Sequence, residues 1–552
     1  MRLQHSGLLS LALSLLPVTV VGQVIVTGVD VASRNSSVPE RRNILELSSE
    51  KGAQWDLYIR SLQAMHEQRE DDPLSYFQIA GIHGRPFIEY DNTGRGVGGW
   101  QSWGGYCPHG EQLFLPWHRP YVALYEQTLV ENAKRIAQEY PEEYRDTYTE
   151  AAEILRAPFW DWAADNTVPP DTVPATITVN VPDGQSLKSE TIDNPLYTYK
   201  FPLAVLNGEF GYFDNQYRSQ VYHCSAPNSY PASANRRMAN RNYRQWTYDV
   251  LTKPRSFASF STVQNGGLSL EQIHNDIHWD GACGEQFLDA GYSGFDPLFM
   301  LHHANVDRIW AYWQVLRPQL GSMSQYYRGG SRFATQGGTI ITPQSPLPPF
   351  RQSESAFHTP ESIASIETLG YSYPALGGSK TAQQTRDDVS RLINRLYGPR
   401  NGRPRSLGRR DDTVTRYFAK ISVDVTELER PCSIDVVVNG THAGSMTVMT
   451  QPSEGLIHGE VPLDAALESS HANQLAVNDA VKSVQTAVNV EITKADGTRI
   501  ATTDVPSLDV SLEHVQVAMP HSDTELPEFS DSRVQTLQKG GKPDVQDPTT
   551  KE

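Results

Sequence analysis

The segment 271–310, EQIHNDIHWDGACGEQFLDAGYSGFDPLFMLHHANVDRIW, carries four histidines in two runs that have helical spacing. His274 and His278 are four residues apart, which places both imidazoles on one face of a helix. The second run is apolar and rich in tryptophan, and it carries His302 and His303. Imidazoles in this number suit copper or zinc, and less often iron or nickel. An i,i+4 histidine pair can also lie on a solvated face, but the apolar second run favours a metal site.

Composition and charge restrict the class of protein. A chain of 552 residues can form two or three domains with a large core. The net charge is -17 and there is no basic block, so neither nucleic acid nor an anionic membrane is an expected partner. No internal run is long and apolar enough to predict a membrane helix.

The N-terminus has the pattern of a secretory signal. Arg2 precedes the apolar run Leu8 to Val21, and small residues end at Gly22. We therefore predict a signal peptide over 1–22 and a secreted protein, with cell-wall association as one destination; a buried N-terminal helix is the alternative. The sequons that begin at Asn35 and Asn439 are consistent with secretion and glycosylation.

A second set of histidines precedes the segment quoted above. His83, His109 and His118 lie in a stretch whose Gly-rich middle predicts a loop. Helical periodicity begins near Trp117, with prolines at 116 and 120 where a helix start tolerates them. We therefore place His118 in the first turn of a helix and His109 on a loop.

Four cysteines, at 107, 224, 283 and 432, are too few for a disulfide scaffold. Cys107 lies two residues before His109, where a Cys–His thioether would fix the ring. On spacing alone a buried free thiol is the commoner fate of a single cysteine. If Cys107 has another role, at most one disulfide forms; Cys224 with Cys283 is a candidate that the sequence does not decide.

Beyond the histidines the chain changes character. Residues 171–255 lack helix-length periodicity and predict irregular surface structure, in which His223 has a structural role. A charged helix and a Pro/Gly/Arg-rich linker occupy 379–410. From about 415 the apolar residues alternate, and Asp496-Gly497 has the composition of a hairpin turn. This pattern predicts a β-sandwich domain followed by a disordered tail.

Two histidine triplets could hold two copper ions that bind O2 between them. The surrounding motifs carry a resemblance: Cys107-Pro108-His109, FLPWHRPYVALYEQ (114–127), FWDWAAD (159–165), EQIHNDIH (271–278), FDPLFMLHHANVDRIW (295–310) and Tyr371-Ser372-Tyr373. With these the chain resembles the type-3 dicopper polyphenol oxidases, the tyrosinase and catechol oxidase family, and most of all its fungal members. The resemblance spans roughly 40–375, and it rests on architecture alone over the C-terminal domain.

The resemblance implies a mainly α fold: a dicopper four-helix-bundle core with long loops, followed by a β-sandwich-like C-terminal domain. It implies two copper ions as the cofactor, with His83, His109 and His118 on the first and His274, His278 and His303 on the second. It also implies the Cys107–His109 thioether, which reverses the expectation from spacing. The predicted division is a signal peptide 1–22, a catalytic core 23–375, a proteolytic linker 376–414, a β lid domain 415–520 and a disordered tail 521–552.

Residues beside the second triplet follow from the same resemblance. The resemblance implies that His302 is not a copper ligand but lies beside the ligands. Phe299 and Asp307 share the helical face of His303. We expect Phe299 to stack on the cluster and Asp307 to hydrogen-bond locally or to pair with an arginine such as Arg308.

Two polar residues at the start of the second triplet bear on monophenol chemistry. The resemblance implies that Glu271 would hold a water as a general base and that Asn275 would help to polarise that water. The alternatives are a helix-start acid and a solvated amide, both exposed. At the position of Trp279 some monophenolases of the family have an arginine. Ala290 aligns near the residue that gates the second copper in relatives, and its small size suggests open access to that copper.

The resemblance implies an enzyme that uses O2 to hydroxylate monophenols or to oxidise o-diphenols to o-quinones. Its partners would be small phenols, O2 and an activating protease, because the lid domain would keep it latent until cleavage within about 375–415, where Arg409-Arg410 is a dibasic pair. A permanent structural domain is the alternative. Other functions left open are a strict catechol oxidase, an o-aminophenol oxidase, a haemocyanin-like oxygen carrier and a catalytically silent structural protein.

Overall fold

The computed structural model describes residues 23–30, 38–97, 103–214, 216–399, 413–469, 471 and 475–539. The predicted signal peptide, the Asn35 sequon and the Arg409-Arg410 pair lie outside the described residues. The helices are α1 (Ile44–Glu50), α2 (Ala53–Glu67), α3 (Tyr76–Gly81), α4 (Phe114–Ala137), α5 (Glu142–Ile154), α6 (Leu203–Leu206), α7 (Ala232–Ala239), α8 (Tyr243–Thr252), α9 (Phe257–Ser261), α10 (Leu270–Asp280), α11 (Glu285–Leu288), α12 (Pro297–Leu316), α13 (Ala382–Leu396), α14 (Asp464–Ser469) and α15 (Val477–Ala487).

The strands fall into three hairpins in the first part of the chain and two larger sheets in the last part. They are β1 (Thr176–Asp183), β2 (Ser186–Asp193), β3 (Tyr327–Arg328), β4 (Ile340–Ile341), β5 (Arg351–Ser353), β6 (Ala356–Phe357), β7 (Thr413–Asp424), β8 (Cys432–Val438), β9 (Thr441–Val448), β10 (Leu456–Pro462), β11 (Val488–Lys494), β12 (Arg499–Ile500), β13 (Asp509–Ala518) and β14 (Glu528–Lys539).

The mainly α core is confirmed, and it is organised on α2, α4, α10 and α12. Helix α4 packs against α2 and α12, and nearly every residue of α10 and α12 is buried. Local sequence sets where the two metal-site helices begin. Ser269 caps α10 by accepting from the backbone N–H of Gln272, and Asp296 caps α12 by accepting from that of Leu298.

The start of α4 differs from the prediction. The helix begins at Phe114, one turn earlier than the periodicity indicates, so Pro120 lies inside it. A proline there lacks the N–H that would bond the carbonyl of Pro116. His118 consequently lies in the second turn, with its ring next to the carbonyl of Phe114.

The expectation of irregular structure over 171–255 is wrong in part. The hairpin β1–β2 and helices α7 and α8 occupy much of this region. Both helices are short, at eight and ten residues, and they lie between irregular segments, so they lack the length on which a helix prediction depends. A capping signal was available for α8, because Asn242 precedes Gln245 by three residues and accepts from its backbone N–H.

The C-terminal domain consists of two four-stranded antiparallel sheets, with strand orders β10-β7-β13-β14 and β12-β11-β8-β9. This confirms the sandwich and the turn at Asp496-Gly497, which joins β11 to β12. The tail prediction is wrong in its first part, because β14 pairs with β13 over most of its length. Helices α14 and α15 also lie within the predicted β region.

The predicted linker 376–414 contains a helix that is part of the core. Helix α13 packs on α12, so only the chain beyond it can act as a connection. The residue after this helix, Tyr397, bonds through its hydroxyl to both carboxylate oxygens of Asp161 at 2.9 Å, deep in the core. In the described part of the chain, no helix combines the length and hydropathy needed to cross a bilayer.

The edge strand β9 of the sandwich lies against α10, the helix of His274 and His278. Thr447 donates to Asp276 Oδ1 from its backbone N–H at 3.0 Å and from its hydroxyl at 2.6 Å. The amide of Gln272 bonds both the N–H and the carbonyl of Glu460, at 2.9 and 3.1 Å. Glu460 also pairs with the core residue Lys253. The C-terminal domain therefore contacts the back of a metal-site helix.

Candidate metal centre

The second histidine triplet converges on one point. His274 Nε2 lies 3.0 Å from His278 Nε2 and 3.2 Å from His303 Nε2. His278 Nδ1 donates to the carbonyl of Phe287 at 2.6 Å, and His274 Nδ1 donates to the side-chain oxygen of Asn275 at 2.9 Å. With both protons on Nδ1, two Nε2 lone pairs face each other, which is repulsive unless a cation lies between them.

The first triplet forms a similar triangle. His83, after α3, lies with its ring centroid 5.3 Å from that of His109 and 5.7 Å from that of His118. The Nδ1 of His83 donates to the carbonyl of Ala290 at 3.0 Å, and that of His118 donates to the carbonyl of Phe114 at 2.7 Å. Their Nε2 atoms are buried and have no hydrogen-bond partner among the described residues.

The two triplets are adjacent. The rings of His118 and His303 stack with centroids 4.4 Å apart. Phe299 stacks on His303 at 4.1 Å and touches His83 at 4.9 Å, which confirms its predicted place. Burial lowers the pKa of every one of these imidazoles, to about 4 for His83 and about 3 for His278.

Neutral, buried imidazoles with unpartnered nitrogens are the ligands that a copper ion needs. The six residues that meet here are the ones predicted from the sequence: His83, His109, His118, His274, His278 and His303. The donor set fits two copper ions.

His302 also lies in the cluster, but its tautomer differs. The indole N–H of Trp162 donates to His302 Nδ1 at 3.1 Å. A neutral imidazole that accepts at Nδ1 carries its proton on Nε2, so it has no lone pair left for a metal. This geometry favours His303 over His302 as the ligand, in agreement with what the resemblance implies.

Asp307 pairs with arginines, although Arg308, the example named from the sequence, is not one of them. It pairs with Arg119 at 2.6 Å and with Arg41 at 3.2 Å, and not with Arg308. The hydroxyls of Tyr371 and Tyr373 donate to it as well. The guanidinium of Arg308 instead pairs with Asp161 at 2.8 Å. The Tyr371-Ser372-Tyr373 motif thus closes a buried charge network beneath the metal-site helices.

Cys107 lies beside the first triplet. Its Sγ is 3.6 Å from His109 Nδ1, and it donates to the carbonyl of His83 at 3.0 Å. Burial raises the pKa of this thiol. The sulfur is adjacent to the ring that it would modify, and the thioether stays a prediction.

Glu271 and Asn275 are both buried, so the exposed alternatives for them are wrong. The Glu271 carboxylate accepts from the backbone N–H of Gly110 at 2.6 Å and of Val263 at 3.1 Å. Burial raises its pKa to about 7. Glu271 therefore ties the helix of the second triplet to the loop that follows His109, a link that sequence reasoning missed.

Ala290 is buried, and its backbone carbonyl orients His83. The expectation that its small side chain opens access to the second copper stays a prediction. Trp279 is half-buried at the end of α10. Backbone carbonyls such as those of Phe287 and Ala290 carry no side-chain signal, so the sequence could not have identified them.

A cavity of about 840 Å³ leads to His109 from between the two domains. The core contributes Trp103, Cys107 and Gly110, and the C-terminal domain contributes residues 451–455, between β9 and β10. Pro452 sits directly on Gly110, where an added Cβ would lie 2.5 Å from the proline ring. The loop 451–455, here called the covering loop, therefore forms one wall of the entrance.

Comparisons with known proteins agree with this geometry. The family model described as "Common central domain of tyrosinase" matches residues 73–316. A tyrosinase of Neurospora crassa is 33% identical over 418 residues, 68% of this chain and 58% of that protein. A tyrosinase of Podospora anserina is 33% identical over 409 residues, 68% of this chain and 69% of that protein.

The fold likeness extends further along the chain. A crystal structure of latent and active mushroom tyrosinase superposes with a TM-score of 0.78 at 23% identity, and the superposition covers 93% of this chain and 98% of that one. The architecture thus agrees over both domains, and the sequence match extends beyond the central domain. The chain belongs to the tyrosinase family.

Proposed function

We propose that this protein is a secreted, latent phenol oxidase that uses O2 to hydroxylate monophenols and to oxidise o-diphenols to o-quinones. The observation that carries the proposal is the convergence of six buried, neutral imidazoles in two adjacent triplets. Membership of the tyrosinase family gives two copper ions as the cofactor. The bound copper pair supplies the activation of O2 toward phenols.

The protein's own groups hold and orient what reacts. His83, His109 and His118 would hold one ion, and His274, His278 and His303 the other. In four of these rings, those of His83, His118, His274 and His278, a hydrogen bond at Nδ1 leaves Nε2 to face inward. Phe299 and the surrounding aromatic side chains keep bulk water out of the centre.

Monophenol hydroxylation needs a phenolate, and Glu271 is the proposed base. The backbone N–H groups of Gly110 and Val263 each donate to one of its oxygens, and the Thr262 hydroxyl also bonds the carboxylate. A carboxylate has about four acceptor positions, so one is left to hold a water. A pKa raised to about 7 by burial suits a base that works near neutral pH. The Asn275 side-chain oxygen is occupied by His274, so we assign its remaining N–H group to orienting the water.

Latency would follow from the covering loop. Pro452 against Gly110 narrows the path that leads from solvent to His109 through the cavity between the domains. Cleavage within 400–412, after the docked Tyr397, would let the C-terminal domain leave. The relation to a mushroom enzyme solved in latent and active states supports this arrangement.

The test compares one copper-loaded preparation before and after cleavage at a protease site inserted within 400–412. We expect cleavage to raise turnover of tyrosine, a small monophenol and catechol, and the uncut sample is the control. Equal rates before and after cleavage would show that the domain is structural. Catechol turnover without monophenol turnover would indicate a catechol oxidase, and reversible O2 binding with untouched catechol an oxygen carrier. Secretion is tested separately by recovering mature protein that lacks residues 1–22 from the medium.

A further inference from the structure

One loop orients a histidine in each triplet. The connection 281–296, between α10 and α12, supplies the carbonyl of Phe287 to His278 Nδ1 at 2.6 Å. It also supplies the carbonyl of Ala290 to His83 Nδ1 at 3.0 Å. In each ring this bond places the proton on Nδ1 and leaves Nε2 for a metal. The position of this loop therefore sets the direction of one ligand on each side of the centre.

The loop has little regular structure of its own. Helix α11 is only four residues long, and Cys283, Gly284 and Glu285 all have positive φ, at 61°, 92° and 50°. Two non-glycine residues that flank a glycine, Cys283 and Glu285, do not adopt that conformation without support from their surroundings. The loop needs an external hold if its carbonyls are to stay in place.

A segment distant in sequence provides that hold. Cys224 forms a disulfide with Cys283, and its N–H donates to the carbonyl of Ala282 at 3.0 Å. The buried side chain of Gln286 accepts from the N–H of Tyr222 at 3.1 Å and donates to the carbonyl of Gln220 at 2.9 Å. Residues 220–225 thus bind the loop by one covalent bond and several hydrogen bonds; we call this segment the clamp.

The clamp also reaches the helix of His303. His223 Nε2 lies 2.9 Å from one carboxylate oxygen of Asp296 and 3.1 Å from the other, and both side chains are buried. Asp296 is the N-cap of α12, where its carboxylate accepts from the N–H of Leu298. The clamp is therefore connected to α12 as well as to the loop that follows α10.

We propose that the clamp is a positioning element for both copper sites, through Cys224, His223 and the Gln286 that it holds. The proposal rests on the assignment of the two triplets as copper ligands. Hydrogen-bonded partners behind metal ligands typically change metal affinity about 10–100-fold when they are lost. Because the loop orients His83 as well as His278, loosening the clamp weakens the binding of both copper ions. Only the second triplet is close to the loop in sequence.

The test uses the full chain loaded with copper. The variants are Cys224→Ala combined with Cys283→Ala, and separately Gln286→Leu, which keeps the disulfide. The matched control is Gln127→Leu: that side chain on α4 makes the same kinds of bond, accepting from Thr27 and Gly28 and donating to Ile25. Copper release to a Cu(I) chelator and the optical spectrum are recorded, together with the Tm of each apoprotein.

We expect both clamp variants to release both coppers about 10-fold faster or more, with Gln127→Leu unchanged. A fall in apoprotein Tm with copper release unchanged means that the clamp only stabilises the fold, and it overturns the proposal. Faster release of one ion alone overturns the claim for both sites. A wild-type chain that binds fewer than two coppers contradicts the proposed function itself, and that failure is visible before any variant is made.

Discussion

The contact between Thr447 and Asp276 offers a direct test of how the C-terminal domain is held. Thr447→Val keeps the shape of the side chain and the backbone N–H bond to Asp276, but it removes the hydroxyl bond of 2.6 Å. In the docked state the carboxylate loses a donor that water cannot replace. In the undocked state water solvates both groups, so the substitution acts on docking.

The size of the effect follows from the type of bond. A hydrogen bond to a charged group contributes about 1.5–3 kcal/mol net. Burial raises the pKa of Asp276 to about 7, so the assay belongs at about pH 8, where the carboxylate is mostly ionised. A loss of about 2 kcal/mol corresponds to a roughly 30-fold larger undocked fraction.

The assay is catechol oxidation by uncut, copper-loaded protein, expressed as a fraction of the rate after cleavage. Thr447→Val should raise this uncut rate roughly 30-fold, up to the limit of the cleaved enzyme. The control is Thr493→Val on β11, two strands away in the same sheet, where the residue pairs with Ser433 and Arg499. An uncut rate that does not change in Thr447→Val, with normal copper content, would refute the role of this contact.

Three further expectations concern the centre itself. Because burial raises the pKa of Glu271 to about 7, monophenol turnover by cleaved enzyme should grow as the pH rises through about 7. The variant Glu271→Gln should lose that rise and spare catechol turnover. Equal losses on both substrates would contradict the role of Glu271 as the base. Metal analysis should show about one copper lost per chain in His303→Ala and none in His302→Ala, and the reverse result would exchange their roles. Peptide mass mapping should find residues 107–109 cross-linked and lighter by two hydrogens, and Cys107→Ser should abolish the link.

Helical spacing placed His274 and His278 on one face, and it placed Phe299 on the face of His303. The assignment of six histidines to two copper ions, and the choice of His303 over His302, came from the resemblance to the tyrosinase family. Their partners were less accessible. The pairing of Asp307 with Arg41 joins residues 266 positions apart, and no local pattern encodes such a contact. An adjacent arginine was the natural expectation, yet adjacent residues on a helix point in different directions.

The contacts of the C-terminal domain could not be predicted for a related reason. Strand alternation identified the sandwich but did not show which edge meets the core. The packing of Pro452 on Gly110 depends on a close approach between two loops, each of which looks like an ordinary surface turn in sequence. Strand β14 was missed because its residues are polar and largely exposed, so it lacks the buried alternation that marks a strand.

Helix α10 contacts the metal site on one face and the C-terminal domain on the other. At about 100° per residue, Gln272 and Asp276 lie roughly 200° from His274, on the opposite face. Both faces are polar and both are buried, one by the second triplet and the other by β9 and Glu460. Without the C-terminal domain, one polar face of α10 would be exposed, and the Asp276 carboxylate would lie in water. The proposed release of the domain would therefore change the surroundings of the helix that orients two ligands, and not only the access to His109.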